Sequence, residues 1–374
     1  MRLALALLVI LPACTSPNNS EQRRLPASTR GPTVTVVDSV AIAEPDSLPL
    51  GNYAWPVARR SNGELFVLDP GVHKVLRFDR TGKLAGVIGR EGEGPGELRS
   101  PLMIALLPGD TLLAVVDPNR SRLVVFGATD GVVRREAALP EFALADQYWS
   151  RRGDTVTFGL TASRAPIAVW PWKGNVISTR GTTPQRTRLV GLQFGQTRVV
   201  ATDSGFVVLY PGQPGLFLLD RAGQATGFVS IPTARRVGEP ADIRARQKAL
   251  SKSERGKLVA SLAAGLHRMS SGSWLLVHLD VDLKRVGDVT RSRDLRFYAS
   301  VFSSDFQRVC VDGLLPVTSD APAMPFFAGD TLFLFSRTVG VAGMKNTVYA
   351  LTINTAGCDW QQTGGIVPPP RDSL

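Results

Sequence analysis

The chain has 374 residues, 44% hydrophobic, 20% charged and 7% aromatic, with 36 Gly, 26 Pro and a formal net charge of +11. That length suits one large all-β domain or two ordinary ones, and no apolar run approaches the roughly 20 residues a transmembrane helix needs. The basic surplus is scattered and not interleaved with aromatics, which argues against nucleic acid as a partner and leaves an anionic envelope surface or a plain solvated face.

The N-terminus carries the one hydrophobic peak: Arg2, then Leu3–Leu11, then Pro12-Ala13-Cys14. One positive charge, an apolar core and a small residue before the break make a secretory signal over residues 1–13. Leu11-Pro12-Ala13-Cys14 resembles the bacterial lipobox. The resemblance implies diacylglycerol on the Cys14 thiol, cleavage before it and acylation of the new amine, so that the membrane becomes a partner through a lipid anchor. The alternative is an ordinary secreted protein in which Cys14 is incidental. Thr15 follows where an aspartate would signal retention, and similarity to enterobacterial sorting then favours the outer membrane. Residues 14–32 are polar and without period, a lipidated flexible tether.

Thr33–Ile42 is a β-branched run ahead of the first repeat. From Pro56 to Pro101 come four short apolar runs, Val57–Arg59, Leu65–Asp69, Val75–Phe78 and Leu84–Ile88. The turns Ser61-Asn62-Gly63, Pro70-Gly71 and Arg80-Thr81-Gly82 separate them. Gly and Asn tolerate positive φ, so these are turns with a mechanism. Four strands in about 40 residues make one blade of a β-propeller.

The first turn recurs at Pro108–Asp110, Arg152–Asp154, Asp203–Gly205, Ser271–Ser273 and Ala328–Asp330. The third recurs at Ala128–Gly131, Trp172–Asn175, Asp220–Gly223, Ser303–Asp305 and Asn354–Gly357. Both markers count six blades over residues 33–362, an all-β fold. Thr33–Ile42 is expected to close the ring against Val348–Ile353, since closure removes exposed sheet edges. The widest spacing, 67 residues between Gly205 and Gly272, holds an insertion at about 233–265. There Ile243 and Leu250 are seven apart, and Leu258, Leu262 and Leu266 follow at fours, which predicts a short helical insertion. Residues 363–374 read as a surface tail.

With Cys14 lipidated, Cys310 and Cys358 remain. In an oxidising compartment they form a disulfide or stay two separate buried thiols.

Gly89–Leu98 with Pro101 resembles the connector of the NHL repeat, as do Asp69, His73, Val75, Phe78 and Gly82 its second half. Asp117, Asn119, Leu123, Phe126 and Gly131 resemble it again. The likeness covers about 90 residues and fades from blade three onward. It implies a six-bladed propeller similar to exported bacterial lipoproteins that act as binding scaffolds, or less often to lactonases and lyases. Asp69 and Asp117 end strands where they can accept backbone N–H bonds, a structural role.

The candidate ligand face comprises His73, Lys74, Arg90, Glu91, Asn119, Arg120, Asp146, Tyr148, His267 and Arg268. An enzyme at the channel mouth would draw on Asp146, Tyr148, His267 and Arg268. Glu91, Glu93 and Glu97 supply too few oxygens for a calcium shell of about 6–8. The spacing of His73, His267 and His278 matches no H-E-x-x-H helix, and Asp146 and Gln147 are the only acid or amide on the expected inner strands. No metal, cofactor or catalytic set is expected. The reading is a membrane-anchored binding module for a protein or glycan ligand of the envelope.

Overall fold

A computed structural model of the chain describes residues 30–370 apart from 45–46, 52–56, 141–143, 146–148, 162, 185–196, 211–212, 214, 233–257, 287–288, 320–324 and 341–342. Six antiparallel sheets of four or five strands are found among these residues, with one small two-stranded pairing inside the connector that follows blade one.

Blade one is Val57–Arg59, Leu65–Asp69, Lys74–Phe78 and Leu84–Ile88. Blade two is Met103–Leu106, Leu112–Asp117, Arg122–Gly127 and Val133–Ala138. Blade three has its inner edge split into Leu144–Ala145 and Ser150–Arg152, then Thr155–Thr161, Ile167–Pro171 and Ser178–Arg180. Blade four is Arg198–Ala201, Gly205–Leu209, Gly215–Asp220 and Ala225–Ser230. Blade five is Leu258–Arg268, Trp274–Val286, Val289–Phe302 and Arg308–Leu314. Blade six is Pro325–Ala328, Thr331–Gly340 and Gly343–Asn354. Its outer strand is Thr33–Ile42, antiparallel to Gly343–Asn354, with Thr33 opposite Asn354 and Ile42 opposite Asn346.

The middle strands are continuous apolar runs, such as Leu65–Asp69, because both faces of a blade pack on neighbours and neither meets water. The core accordingly divides by interface. Phe66, Leu68 and Val75 of blade one meet Leu113, Val115 and Phe126 of blade two. Phe78 of blade one meets Phe326, Phe333 and Phe335 of blade six. Leu216 and Val229 of blade four meet Leu276 and Phe302 of blade five. Each such side chain contributes about 1.5–3 kcal/mol on burial. Apolar packing therefore outweighs any single polar bond between blades, and polar bonds act on register.

The closing seam depends on one glycine. Gly82 adopts φ +83°, and a Cβ placed there would lie 1.9 Å from the Ala41 carbonyl oxygen. That absence of a side chain lets the Gly82 carbonyl accept from the Ala43 N–H at 2.9 Å, tying blade one to the chain that leaves blade six.

Three expectations need correction. The helical insertion does not hold over Leu258–Arg268, which is the inner strand of blade five and pairs from Leu258 opposite Leu283 to Arg268 opposite Trp274. A spacing of four is a multiple of two as well as about one helical turn, so Leu258, Leu262 and Leu266 could not distinguish the periods. The rest of that expectation, 233–257, lies outside the described residues. Pro118–Arg120, a 3-10 turn, is the one helical element described.

The segment after Cys358 is not a free tail. Gln361–Gln362 pairs with Arg308–Val309 of blade five. Farther on, Val367 exchanges backbone bonds of 2.9 and 2.7 Å with Phe228 of blade four. It is a strap across three blades.

Nor is the tether free to residue 32. A Cβ on Gly31 would lie 2.3 Å from the Val311 carbonyl oxygen, so the chain is already seated on blade five. At that junction Cys310 and Cys358 form a disulfide with Cα atoms 5.9 Å apart, and Asp359 accepts from the Arg30 N–H at 2.8 Å. Among the described residues no helix is long and apolar enough to cross a membrane.

Candidate functional site

All inner strands run the same way around the axis. The turns between first and second strands therefore share one end, here the turn end, while the blade-to-blade connectors share the other. The connectors before blades one, three, four, five and six include residues that are not described. The connector before blade two is complete.

At this connector end the structure brings together His73, Lys74, Arg90, Glu91, Asn119 and Arg120, on blades one and two and the link between them. His73 Nδ1 lies 3.8 Å from Glu91 Oε1. Arg120 donates to the carbonyl oxygens of Gly92, at 3.2 Å, and Glu93. Glu97 accepts the Gly94 N–H at 2.7 Å and pairs with Arg90 at 2.8 Å. That N–H bond first, then Arg90, hold its carboxyl below the usual range against some desolvation. Glu93 pairs with Arg99. Glu93 and Glu97 thus build the Gly-rich connector itself, while Glu91 stays exposed beside His73.

Asp69, fully buried, accepts from the Gly71 N–H at 2.9 Å and the Gly51 N–H at 2.7 Å. Asp117, also fully buried, accepts from Arg99 N–H at 2.8 Å and Ser100 N–H at 3.2 Å. Each carboxylate holds the connector that enters its own blade.

His267 and Arg268 do not join that group. They end the inner strand of blade five, at the turn end. The ligand-face grouping is corrected accordingly: that strand runs from the connector end at Leu258, so its last residues emerge on the opposite side of the molecule. Asp146 and Tyr148 lie outside the described residues.

At the turn end the inner strands line an open cavity of about 280 Å³. Blade two contributes Leu106, blade three Trp149 and Ser150, blade four Val199 and Val200, blade five Leu266, His267 and Arg268, and blade six Phe327. His267 lies flat on Phe327, centroids 4.6 Å apart at 14°. Its Nε2 is 3.8 Å from Asp330 Oδ1, too long for a hydrogen bond. Burial pushes the imidazole below its ordinary value, with Asp330 partly opposing. Trp149 stacks on Phe158 at 4.1 Å and 8°, which fixes its plane. The Arg268 guanidinium sits 5.7 Å above the Trp274 ring.

The inner-strand sequences ADQYWS and PFFA contain Trp149 and Phe327, but a search for acids and amides passes over aromatics. Among the described residues no group of three or more His, Cys, Asp or Glu is placed to hold a metal ion.

A ring of six blades around an axial cavity defines the class: the protein is a six-bladed β-propeller. A family model described as a 6-bladed beta-propeller, DUF5128, matches residues 58–154, about a quarter of the chain. Among solved structures, a member of the DUF4221 family from Bacteroides vulgatus is 10% identical. It aligns over 87% of this chain and 99% of its own with a TM-score of 0.58. A Bacteroides fragilis protein named as an exported protein is also 10% identical, over 88% and 98%, with a TM-score of 0.53. At such identities the likeness is one of fold. No curated protein matches the sequence.

Proposed function

We propose that the chain is an exported propeller, held to the outer membrane by lipid on Cys14, that binds a ligand of the envelope or its surroundings without transforming it. The observation that carries the binding reading is the make-up of the axial cavity. Five blades converge on it with Trp149, His267 and Phe327 beside aliphatic and polar side chains, the mixture of flat apolar surface and a few polar groups that binding pockets use. Asp330, beside His267, is engaged by the backbone N–H and the hydroxyl of Ser270. At the connector end Asp69 and Asp117 hold backbone, and Glu97 holds its own loop.

The anchoring half rests on the lipobox-like Leu11–Cys14. Cys14→Ser should release the protein from the membrane fraction and leave its fold intact by circular dichroism. Retention of that variant in the membrane fraction would refute the anchor. The binding half is tested by purifying wild-type and Val200→Trp protein from the same envelope and comparing bound small molecules by native mass spectrometry. A molecule held by the wild type and lost from the filled cavity supports it. An empty wild type counts against it.

A further inference from the structure

We infer that the axial cavity takes a small, planar, apolar ring that bears an anionic group, the ring seated against Trp149 and the His267–Phe327 pair and the anion on Arg268. This rests on the binding reading above and specifies its ligand.

The shape argument comes from the walls. At about 280 Å³ the cavity stands at the lower edge of the range typical for small-molecule sites, about 300–1,000 Å³. Its aromatic surfaces are flat and fixed. Phe158 pins Trp149 at 8° to its own plane, and Phe327 pins His267 at 14°. Rigid π-faces favour a planar occupant over a puckered one of equal area, because offset stacking adds about 0.5–1.5 kcal/mol to area burial. Leu106, Val199, Val200 and Leu266 add apolar side chains to the wall, against which a charged body would be desolvated at a cost. The charge therefore belongs at the mouth.

The sign of that charge follows from what stands at the mouth. Arg268 is exposed and lines both the axial cavity and the neighbouring groove between blades four and five, where its guanidinium sits over the face of Trp274. No described carboxylate pairs with it. Asp330, beside His267, directs both carboxylate oxygens to Ser270. The same side of the cavity carries His267, which can donate to an anion. A guanidinium fork matches carboxylate, sulfonate or phosphate oxygens in bidentate fashion, so the shared chemistry is a planar oxyanion.

Three probes separate the components by isothermal calorimetry on the folded mature chain: 2-naphthoate, its neutral isostere 2-naphthamide, and the puckered anion cyclohexanecarboxylate. The expected order puts 2-naphthoate at least tenfold tighter than either of the others, with Arg268→Gln removing the advantage over the amide. Val200→Trp should abolish binding of all three. Equal affinity for acid and amide would overturn the anion, equal affinity for the two anions the planar ring, and unchanged binding by Val200→Trp the site. If 2-naphthoate does not bind, the ligand class falls. The binding reading then stands or falls separately, on whether the protein from its own envelope carries a molecule that Val200→Trp loses.

Discussion

Ser270 of blade five gives its backbone N–H, at 2.8 Å, and its hydroxyl to the two oxygens of one carboxylate, that of Asp330 in blade six. The device recurs around the turn end. Asp110 of blade two accepts the Ser61 N–H of blade one at 2.7 Å, and Asp203 of blade four pairs with Arg152 of blade three. The first turns of alternate blades thus hold the preceding blade in register.

Asp330→Ala should lower unfolding free energy by about 1 kcal/mol, the usual scale for part-exposed hydrogen bonds, and Asp330→Asn by less, since an amide oxygen still accepts. The Ser270 hydroxyl first, then its N–H, hold the Asp330 carboxyl below its ordinary 3.8. A depressed acid stabilises above its unfolded value and loses that contribution as pH falls through the folded one. Urea unfolding should therefore show a wild-type advantage over Asp330→Ala at pH 7 that closes below pH 3.8. An advantage independent of pH would mean the charge is irrelevant.

His267 predicts a slope in a different window. Burial pushes it below 6.5, so the unfolded chain holds its proton more firmly than the folded one. Stability is then complete above 6.5 and declines as pH falls toward the folded value. Between pH 7.5 and 5 the wild type should lose more stability than His267→Gln. Parallel curves would show that the ring is not protected from protonation.

Closure through Gly82 can be separated from ordinary glycine strain. Gly109 has a similar positive φ, +98°, but a Cβ there meets nothing within 4 Å. Gly109→Ala should cost about 1 kcal/mol, the left-handed penalty alone. Gly82→Ala adds a collision with the Ala41 carbonyl and should cost at least about twice as much by chemical denaturation. Equal costs would remove the seam from the account.

The Cys310–Cys358 bridge spans 48 residues, which in the chain-entropy model is worth on the order of 4 kcal/mol. Cys358→Ser should lower the melting temperature. Truncation after Gln362 should lower it separately by removing the bonds of Thr363 and Val367 to blades five and four. A truncated chain that melts with the full one would make the strap a tail after all.

The blade count is legible because two kinds of turn recur with Gly at fixed places, and because strands buried on both faces stay apolar, as in Leu65–Asp69. The inner strand of blade five is not, since Leu258, Leu262 and Leu266 satisfy helix and strand alike. The strap is hidden for another reason: its Gly and Pro content says nothing of a backbone that borrows partners from Arg308 and Phe228. That fold-back also brings Cys358 to Cys310, a pairing the residues alone leave open. Among the candidate site residues, those of blades one and two do share an end because they sit in the same turn of two successive repeats and in the connector between them. His267 and Arg268 fall at the other end because strand direction, not residue type, decides which mouth a side chain reaches.

The central claim is that the axial cavity binds a molecule and leaves it unchanged. The direct measurement is to incubate the folded mature chain with the small-molecule fraction of its own envelope, then record the masses of bound and free species over time. The account predicts one bound species, absent from Val200→Trp, that is recovered at its original mass after release. A time-dependent loss of that species with a product of different mass appearing in solution would contradict it and make the protein an enzyme.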